Sequence, residues 1–245
     1  MSPVALAWRQ FRFERRMFWR NPSAAFFNFA LPLIFLVLIS TVYGASNSDL
    51  DILVPGLAGL AVMSTTFTAL SFNMTFLREQ GILKRMRGTP IPPVAYFGGV
   101  IGNAVANAFV QIALVIAVGH VVFGGDLPSN WLTLIVFAMV GVATFACLGI
   151  AFAQAIPNFD AAPAYTNAVF LPAIFISGVF YSSASMPRVF EIIADVLPLK
   201  HVIDGFHAAI VTGQGVGDTL DALAVLLVWL AVGVWAIARG FRWEA

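Results

Sequence analysis

The chain has little charge and almost no cysteine for its length. Asp, Glu, Lys and Arg together make up 10% of the 245 residues, and Cys147 is the single cysteine. One cysteine excludes an intrachain disulfide and a cysteine-cluster metal site. Cys147 falls inside an apolar run, so we interpret it as a small packing residue.

Motifs of the common catalytic sites are also missing. Neither Lys84 nor Lys200 follows a GxxxxGK[ST] pattern, so the chain cannot bind ATP in the P-loop manner. HExxH and Gly-x-Ser-x-Gly are absent, and the scattered His120, His201 and His207 make a zinc site a disfavoured alternative. No charged residue falls at the centre of a predicted span, which argues against proton-coupled transport.

Long apolar runs are what the chain has in abundance. Hydrophobic residues make up 60% of it, with 23 Phe, and several runs reach the ~20 residues that cross a bilayer. We therefore predict one all-α polytopic membrane domain over residues 1–245, with no cleavable signal peptide. Its six predicted spans are 24–43, 52–76, 94–123, 131–156, 163–182 and 219–238.

The distribution of charge predicts the orientation. With the amino terminus inside, eleven of the thirteen Lys and Arg residues are cytoplasmic, and only Arg188 and Lys200 are not. Eight of the twelve acidic residues are then external. Because cytoplasmic loops are enriched in cations, this partition supports both the number of spans and two cytoplasmic termini.

The first 22 residues are predicted to form an interfacial amphipathic helix. One basic stripe comprises Arg9, Arg12, Arg16 and Arg20, and a neighbouring face comprises Val4, Trp8, Phe11, Phe18 and Trp19. Aromatic residues beside arginines favour a helix that lies among anionic headgroups. A plain positive-inside anchor is the alternative. Asn21-Pro22 should end the helix.

Residues 77–93 form the most informative loop. Five ionic residues fall within ten positions there: Arg78, Glu79, Lys84, Arg85 and Arg87. Such a cluster cannot lie in hydrocarbon, and its excess of cations places it in the cytoplasm. A compact charged element between two spans is suited to receive force from a soluble partner.

Two further segments carry structural signals. Residues 183–217 are interrupted by Pro187 and Pro198, so we predict two short extracellular helices, one on each side of Pro198, dipping into or lying on the outer leaflet. In span three, Gly98 and Gly102 form a small-xxx-small pair that favours close helix packing, followed by Asn103 and Asn107.

Four features in order resemble the membrane subunit of ABC-2 type transporters, over essentially the whole chain. They are the aromatic-basic helix ending in RNP, the loop REQGILKRMRGTPIPP, the six spans, and the broken helical segment before span six. The loop is the most specific, with an acid, then Gly-x-Leu-basic-basic and a Thr-Pro turn. The resemblance is greatest to daunorubicin-type drug exporters and nodulation-factor exporters.

The resemblance implies that the loop is a coupling helix that seats on a separate ATPase. Glu79, Lys84, Arg85 and Arg87 would make charge-assisted contacts with that partner. Gly81 would allow a turn. Leu83 fills the family's leucine position, Met86 fills its hydrophobic position, and Thr89-Pro90 would stop the helix. The chain itself would bind no cofactor, since ATP and Mg would be held by the ATPase.

The family also implies an export path between two permease copies or paralogues in the bacterial inner membrane. Spans two and five would line it, and the candidate residues are Thr65, Thr66, Phe72, Asn73, Asn167, Phe170 and Phe175. Aromatic side chains with a few amides suit an amphipathic drug-like, lipid or glycoconjugate substrate. Lipid-facing or core packing is the competing interpretation for each of these phenylalanines. No nucleic-acid partner is expected.

Two other classes of protein compete with this interpretation. A membrane anchor or scaffold would use the charged loop to dock a cytoplasmic partner without transport. A membrane-embedded enzyme or channel is disfavoured, because the chain lacks a polar catalytic constellation and a filter-like segment.

Overall fold

The computed structural model describes residues 2–42, 47–88, 92–181 and 187–240, where every regular element is helical. In chain order the helices are α1 (Pro3–Arg20), α2 (Pro22–Val42), α3 (Asn47–Met63), α4 (Ala69–Glu79), α5 (Ile82–Arg87), α6 (Pro93–Phe123), α7 (Trp131–Phe152), α8 (Ala162–Ile176), α9 (Arg188–Val196), α10 (Pro198–His207) and α11 (Leu220–Gly240). A π-helical turn, Ser64–Thr68, joins α3 to α4. The predicted Thr89-Pro90 stop and Arg242 lie outside the described residues.

Four helical stretches are long and apolar enough to cross a membrane. They are Asp49–Glu79, Val94–Phe123, Trp131–Ala155 and Val216–Gly240. The apolar parts of α2 and α8, Phe29–Val42 and Ala162–Ile176, are shorter. An all-α membrane fold is therefore confirmed, whereas the count of six spans and their orientation stay predictions.

Local chemistry accounts for the helix ends that the sequence placed best. Helix α6 begins at Pro93, where a missing N–H costs nothing, and stops at Gly124, whose φ of 76° is left-handed. Helix α7 begins after Asn130, whose side-chain oxygen accepts a hydrogen bond from Thr133 N at 3.1 Å. Both helices agree with the predicted spans 94–123 and 131–156 to within a few residues.

Helix α3 runs through the middle of the bundle. Leu57, Ala58 and Ala61 are all fully buried. It packs against α2, α6, α7 and α10. A Cβ atom built on Gly119 of α6 would lie 2.8 Å from Val54 Cγ2, so the side chain of Val54 packs directly against this glycine.

The segment before α11 is more deeply integrated than a surface element. Two helices do lie on either side of Pro198, as predicted, but they differ in environment. Helix α9 exposes Ile192 and Val196 at 59% each, whereas Leu199, Val202 and Phe206 of α10 are fully buried. Helix α10 is therefore part of the core, and α9 covers its edge. Residues 182–186 lie outside the description, and an extracellular location stays a prediction.

Helix α1 packs along the glycine-rich face of α6. A Cβ atom on Gly99 would meet Gln10 Cβ at 2.5 Å, and Cβ atoms on Gly98 and Gly102 would lie within 3.6 Å of Ala7 and Phe11. The small residues of α6, the predicted span three, thus form the surface on which α1 packs. Trp8 remains 60% exposed, consistent with an aromatic residue at a membrane interface.

Candidate functional site

Within the predicted charged loop of residues 77–93, the described residues 77–88 fold as a helix–turn–helix at one end of the bundle. Helix α4 continues to Glu79, and Gly81 then reverses the chain with a left-handed φ of 63°. The Gly81 carbonyl accepts a hydrogen bond from Arg85 N at 3.2 Å, which starts α5. Glycine adopts this backbone conformation at least cost, so the predicted turn at Gly81 is found.

Helix α5 has one buried and one exposed face. Leu83 is fully buried in a small apolar cluster with Met74, Tyr96 and Ile150, which fixes α5 against α4, α6 and α7. The side chains of Lys84 and Arg85 are exposed. Arg87 ends the helix, and its side chain lies outside the description. A short helix with a buried leucine and outward cations offers a rigid basic surface.

Arg78 is not an exposed loop cation but a buried structural residue. Its side chain is only 8% exposed. Nη1 donates to the Ala153 carbonyl at 2.9 Å, and Nη2 donates to the Ile156 carbonyl. These carbonyls lie at the end of the helical stretch of α7, where backbone acceptors run short of donors. The guanidinium adds a second donor to the Ala153 carbonyl, which also accepts from Ile156 N at 3.4 Å, and supplies one to the Ile156 carbonyl. The sequence offered no signal for this, because donor and acceptors are about 75 residues apart.

Glu79 contacts the turn between α7 and α8, a few residues beyond the carbonyls that bind Arg78. Its Oε2 accepts a hydrogen bond from Phe159 N at 2.6 Å. The ring of Phe159 also packs edge-on against Phe76, with ring centroids 5.4 Å apart. Asn158 Oδ1 then accepts from Ala161 N at 2.8 Å, which leads into α8. We call Arg78, Glu79 and their partners in residues 153–159 the α4–turn junction.

The seven predicted path residues differ in burial, and their role in lining a path stays a prediction. Thr65 and Thr66 are buried in the π-helical turn, where their hydroxyls donate to carbonyls one turn earlier, at 2.7 and 2.5 Å. Phe72, Asn73 and Phe170 are half-buried, while Asn167 and Phe175 are exposed on α8. Helix α8, which carries three of the seven residues, packs beside α4.

Two of the predicted path residues line a cleft with polar and apolar walls that sequence reasoning missed. Thr65 and Asn73 lie in a cavity of about 260 Å³ between α1, the α3–α4 stretch and α6. Its other polar linings include Glu14, Asn103 and Asn107, and no residue of α8 contributes. We call this cavity the α1 cleft. Its only acid, Glu14, was hidden among the arginines of α1.

The histidine and acidic side chains of the described part of the chain form no cluster large enough to hold a metal ion. Across the described ranges, no group of three or more His, Cys, Asp or Glu side chains is close enough to hold an ion. His120 instead contacts the Gly125 carbonyl through Nδ1 at 2.7 Å, which holds the loop after α6.

Comparison with known proteins agrees with this architecture. Nodulation protein J of Rhizobium leguminosarum bv. trifolii is 27% identical over 231 residues, covering 87% of this chain and 84% of that protein. Inner membrane transport permease YadH of Escherichia coli strain K12 is 20% identical over 223 residues, covering 85% and 86%. Daunorubicin resistance ABC transporter permease protein DrrB1 of Streptomyces coeruleorubidus is 27% identical over 183 residues, covering 70% and 62%.

The family signature covers most of the described helices. The profile of the ABC-2 type transporter matches residues 4–211, from the first turn of α1 to the end of α10 and its π-helical extension. That range contains α5, the α4–turn junction and the α1 cleft. The chain therefore belongs to the ABC-2 type transporter family of membrane permeases.

Proposed function

We propose that this chain is the membrane-spanning permease subunit of an ATP-driven ABC exporter. It moves an amphipathic drug-like, lipid or glycoconjugate substrate outward by alternating access. A separate ATPase holds ATP and Mg, and a second permease copy or paralogue completes the path. The subunit resides in the bacterial inner membrane with α5 and both termini in the cytoplasm.

The main support for this proposal is the mechanical continuity from α5 into the bundle. Lys84 and Arg85 are exposed on a helix whose Leu83 is locked into the apolar cluster. Arg85 and Lys84 are suited to charge-assisted contacts with an acidic groove on the ATPase. Because α5 is short and anchored, displacement of its basic face moves the end of α4 with it.

The α4–turn junction extends that continuity to α8. Arg78 holds the end of the α7 stretch, and Glu79 holds Phe159 in the turn that precedes α8. Motion of α5 is thereby delivered to spans two, four and five rather than to span two alone. A loop that only enforced membrane topology would need neither the Arg78 contact nor the Glu79 contact.

Charge reversal on α5 tests the proposed docking surface. Replacing both Lys84 and Arg85 by Glu should leave membrane insertion intact, because both side chains are exposed, and should weaken binding of the ATPase at least about tenfold, as loss of two charge-assisted contacts implies. Affinity is measured between the permease in lipid nanodiscs and its purified ATPase. The matched control is Arg188→Glu on α9. Unchanged affinity in the double variant counts against docking at α5.

The same preparation separates an exporter from a scaffold. An exporter stimulates ATP hydrolysis by its bound partner when substrate is added, and it moves cargo into sealed vesicles. A scaffold binds its partner through α5 and does neither. Binding without stimulation or transport would therefore favour the scaffold.

A further inference from the structure

The α1 cleft is lined by side-chain hydrogen-bond acceptors from α1, α4 and α6. Glu14 lines the cleft from α1 and is half-buried, and among the described residues its carboxylate accepts one hydrogen bond, from Gln10 Nε2 at 2.8 Å. Within the described part of the chain, no Lys, Arg or His side chain lies within ion-pair distance of Glu14. An ionised carboxylate has about four acceptor sites, so this one has capacity left.

The opposite wall of the cleft contributes amides from α6 and α4. Asn103 Oδ1 is buried with no hydrogen-bond partner in the described structure, an arrangement that costs free energy until a donor arrives. Asn107 is only 5% exposed, and its Oδ1 accepts from Arg15 Nη1 at 2.7 Å, which fixes α1 to α6. Asn73 lines the cleft from α4.

Apolar side chains and limited volume define the rest of the site. Phe18, Leu70 and Val100 line it together with the polar residues. A volume of about 260 Å³ is below the ~300–1,000 Å³ of pockets that enclose a drug-sized ligand. The cleft therefore accommodates a head group, while the apolar remainder of a ligand extends outward along the exposed Met17.

The arrangement excludes several ligand classes by charge. Burial raises the pKa of Glu14, because the charged form loses hydration there. An anionic head group would add repulsion to that cost, whereas an ammonium group would offset it and donate up to three hydrogen bonds. A neutral head group could satisfy Asn103 but would leave the carboxylate without a counterion.

We propose that the α1 cleft binds the primary ammonium head group of a cationic amphipathic molecule, with Glu14 as its counterion and Asn103 and Asn73 as hydrogen-bonding partners. That the molecule is a transported substrate rests on the proposed export function. That it binds in the α1 cleft does not. The site lies where the interfacial helix α1 meets spans two and three. A ligand that arrives along the membrane surface therefore reaches the protein first at the α1 cleft.

The test uses a dansyl-labelled octylamine with a free primary ammonium and its N-acetylated derivative. Fluorescence anisotropy is measured with the full-length chain in zwitterionic nanodiscs without ATPase, and empty nanodiscs give the background. The amine should bind at least about tenfold more tightly than the acetylated compound, as one charge-assisted contact implies. Glu14→Gln should abolish that preference, and Glu191→Gln, at an exposed acid on α9, should leave it unchanged.

A second readout localises the bound probe. Because Cys147 is buried and is the single native cysteine, Met17→Cys introduces one accessible thiol at the mouth of the cleft. The amine should slow maleimide labelling of this thiol severalfold, and the slowing should disappear in the Glu14→Gln background. Asn103→Leu should weaken binding of the amine, but it should reduce the preference for the amine over the acetylated compound less than Glu14→Gln does.

Three results would overturn the inference: equal affinity for the two compounds, an unchanged preference in Glu14→Gln, or labelling of Met17→Cys that the amine does not slow. Because ATPase is absent, these results are independent of the docking experiment. Amine binding combined with unimpaired ATPase docking by the α5 charge-reversal variant would preserve the site and remove the proposed coupling route.

Discussion

Two regions of the bundle differ in the contacts that join their helices, because the α4–turn junction adds side-chain hydrogen bonds to apolar packing. Around α10, apolar surfaces meet at glycines: Cβ atoms on Gly59 and Gly141 would lie 2.7 and 2.8 Å from Ile203 and Val202. At the α4–turn junction, side chains of Arg78 and Glu79 bond to the backbone of residues 153–159. Close packing is intolerant of displacement, whereas hydrogen bonds to backbone groups can break and re-form. The first region is suited to stay fixed, and the second to transmit motion.

Added volume in the region around α10 should produce the largest effect. A Cβ atom on Gly205 would lie 2.0 Å from Phe137 Cδ1 and 2.2 Å from Cγ, and both residues are fully buried or nearly so. Gly205→Ala should therefore lower stability by about 3 kcal/mol or more. Thermal denaturation in detergent, followed by fluorescence-detected size exclusion, measures the loss.

Gly217→Ala is the matched control, because a Cβ atom there has no neighbour within 4 Å. If Gly205→Ala denatures at the same temperature as this control, α10 is not rigidly packed, and the contrast between the two regions fails.

Loss of Arg78 should be the next largest effect. Arg78→Ala removes two charge-assisted hydrogen bonds and leaves two helix-end carbonyls without that donor, which costs about 2–3 kcal/mol. Arg78→Lys keeps the charge but cannot donate through two nitrogens, so it should recover only part of the function. ATP hydrolysis stimulated by substrate is measured in the assembled complex, alongside its thermal stability.

Arg239→Ala, at an exposed cation near the end of α11, serves as control for Arg78. Full substrate stimulation in Arg78→Ala would show that the junction is only a structural contact.

Substitution of Gly81 should have a smaller and more selective effect. No side-chain or backbone atom lies within 4 Å of a Cβ built there, so only the positive φ opposes a larger residue. Gly81→Ala should therefore destabilise the turn between α4 and α5 by about 1–2 kcal/mol. Asparagine tolerates left-handed backbone better, so Gly81→Asn should retain more affinity for the ATPase than Gly81→Ala. Equal affinities would mean that the turn is not strained by the alanine.

The sequence predicted the membrane class and the elements that depend on local chemistry. Helices α6 and α7 were located closely because long apolar runs end at Gly124 and begin after Asn130, both of which are recognisable end signals. Span five was predicted to reach residue 182, but α8 ends at Ile176, shortly before Gly178 turns the chain with a φ of 75°. A single glycine within an apolar run does not announce such a turn.

What the sequence could not predict depends on contacts between distant residues. Span two was expected to end near residue 76, yet the helix continues to Glu79 because carbonyls of another helix satisfy Arg78. The carboxylate of Glu79 accepts a hydrogen bond from Phe159 N of the same chain, a contact the sequence did not predict, and its contact with the ATPase stays a prediction. Similarly, Glu14 and Asn103 come together only because α1 packs on α6. The docking role of Lys84 and Arg85 stays a prediction.

The central claim is that work done on α5 reaches the bundle through the α4–turn junction. Its most direct test is transport by the purified complex in sealed vesicles, with Glu79→Ala compared with Glu79→Gln. The amide of glutamine can still accept from Phe159 N, whereas alanine cannot. The account predicts normal insertion of both variants, a severalfold loss of transport and of substrate-stimulated ATP hydrolysis in Glu79→Ala, and substantial activity in Glu79→Gln. Wild-type transport by Glu79→Ala would contradict it.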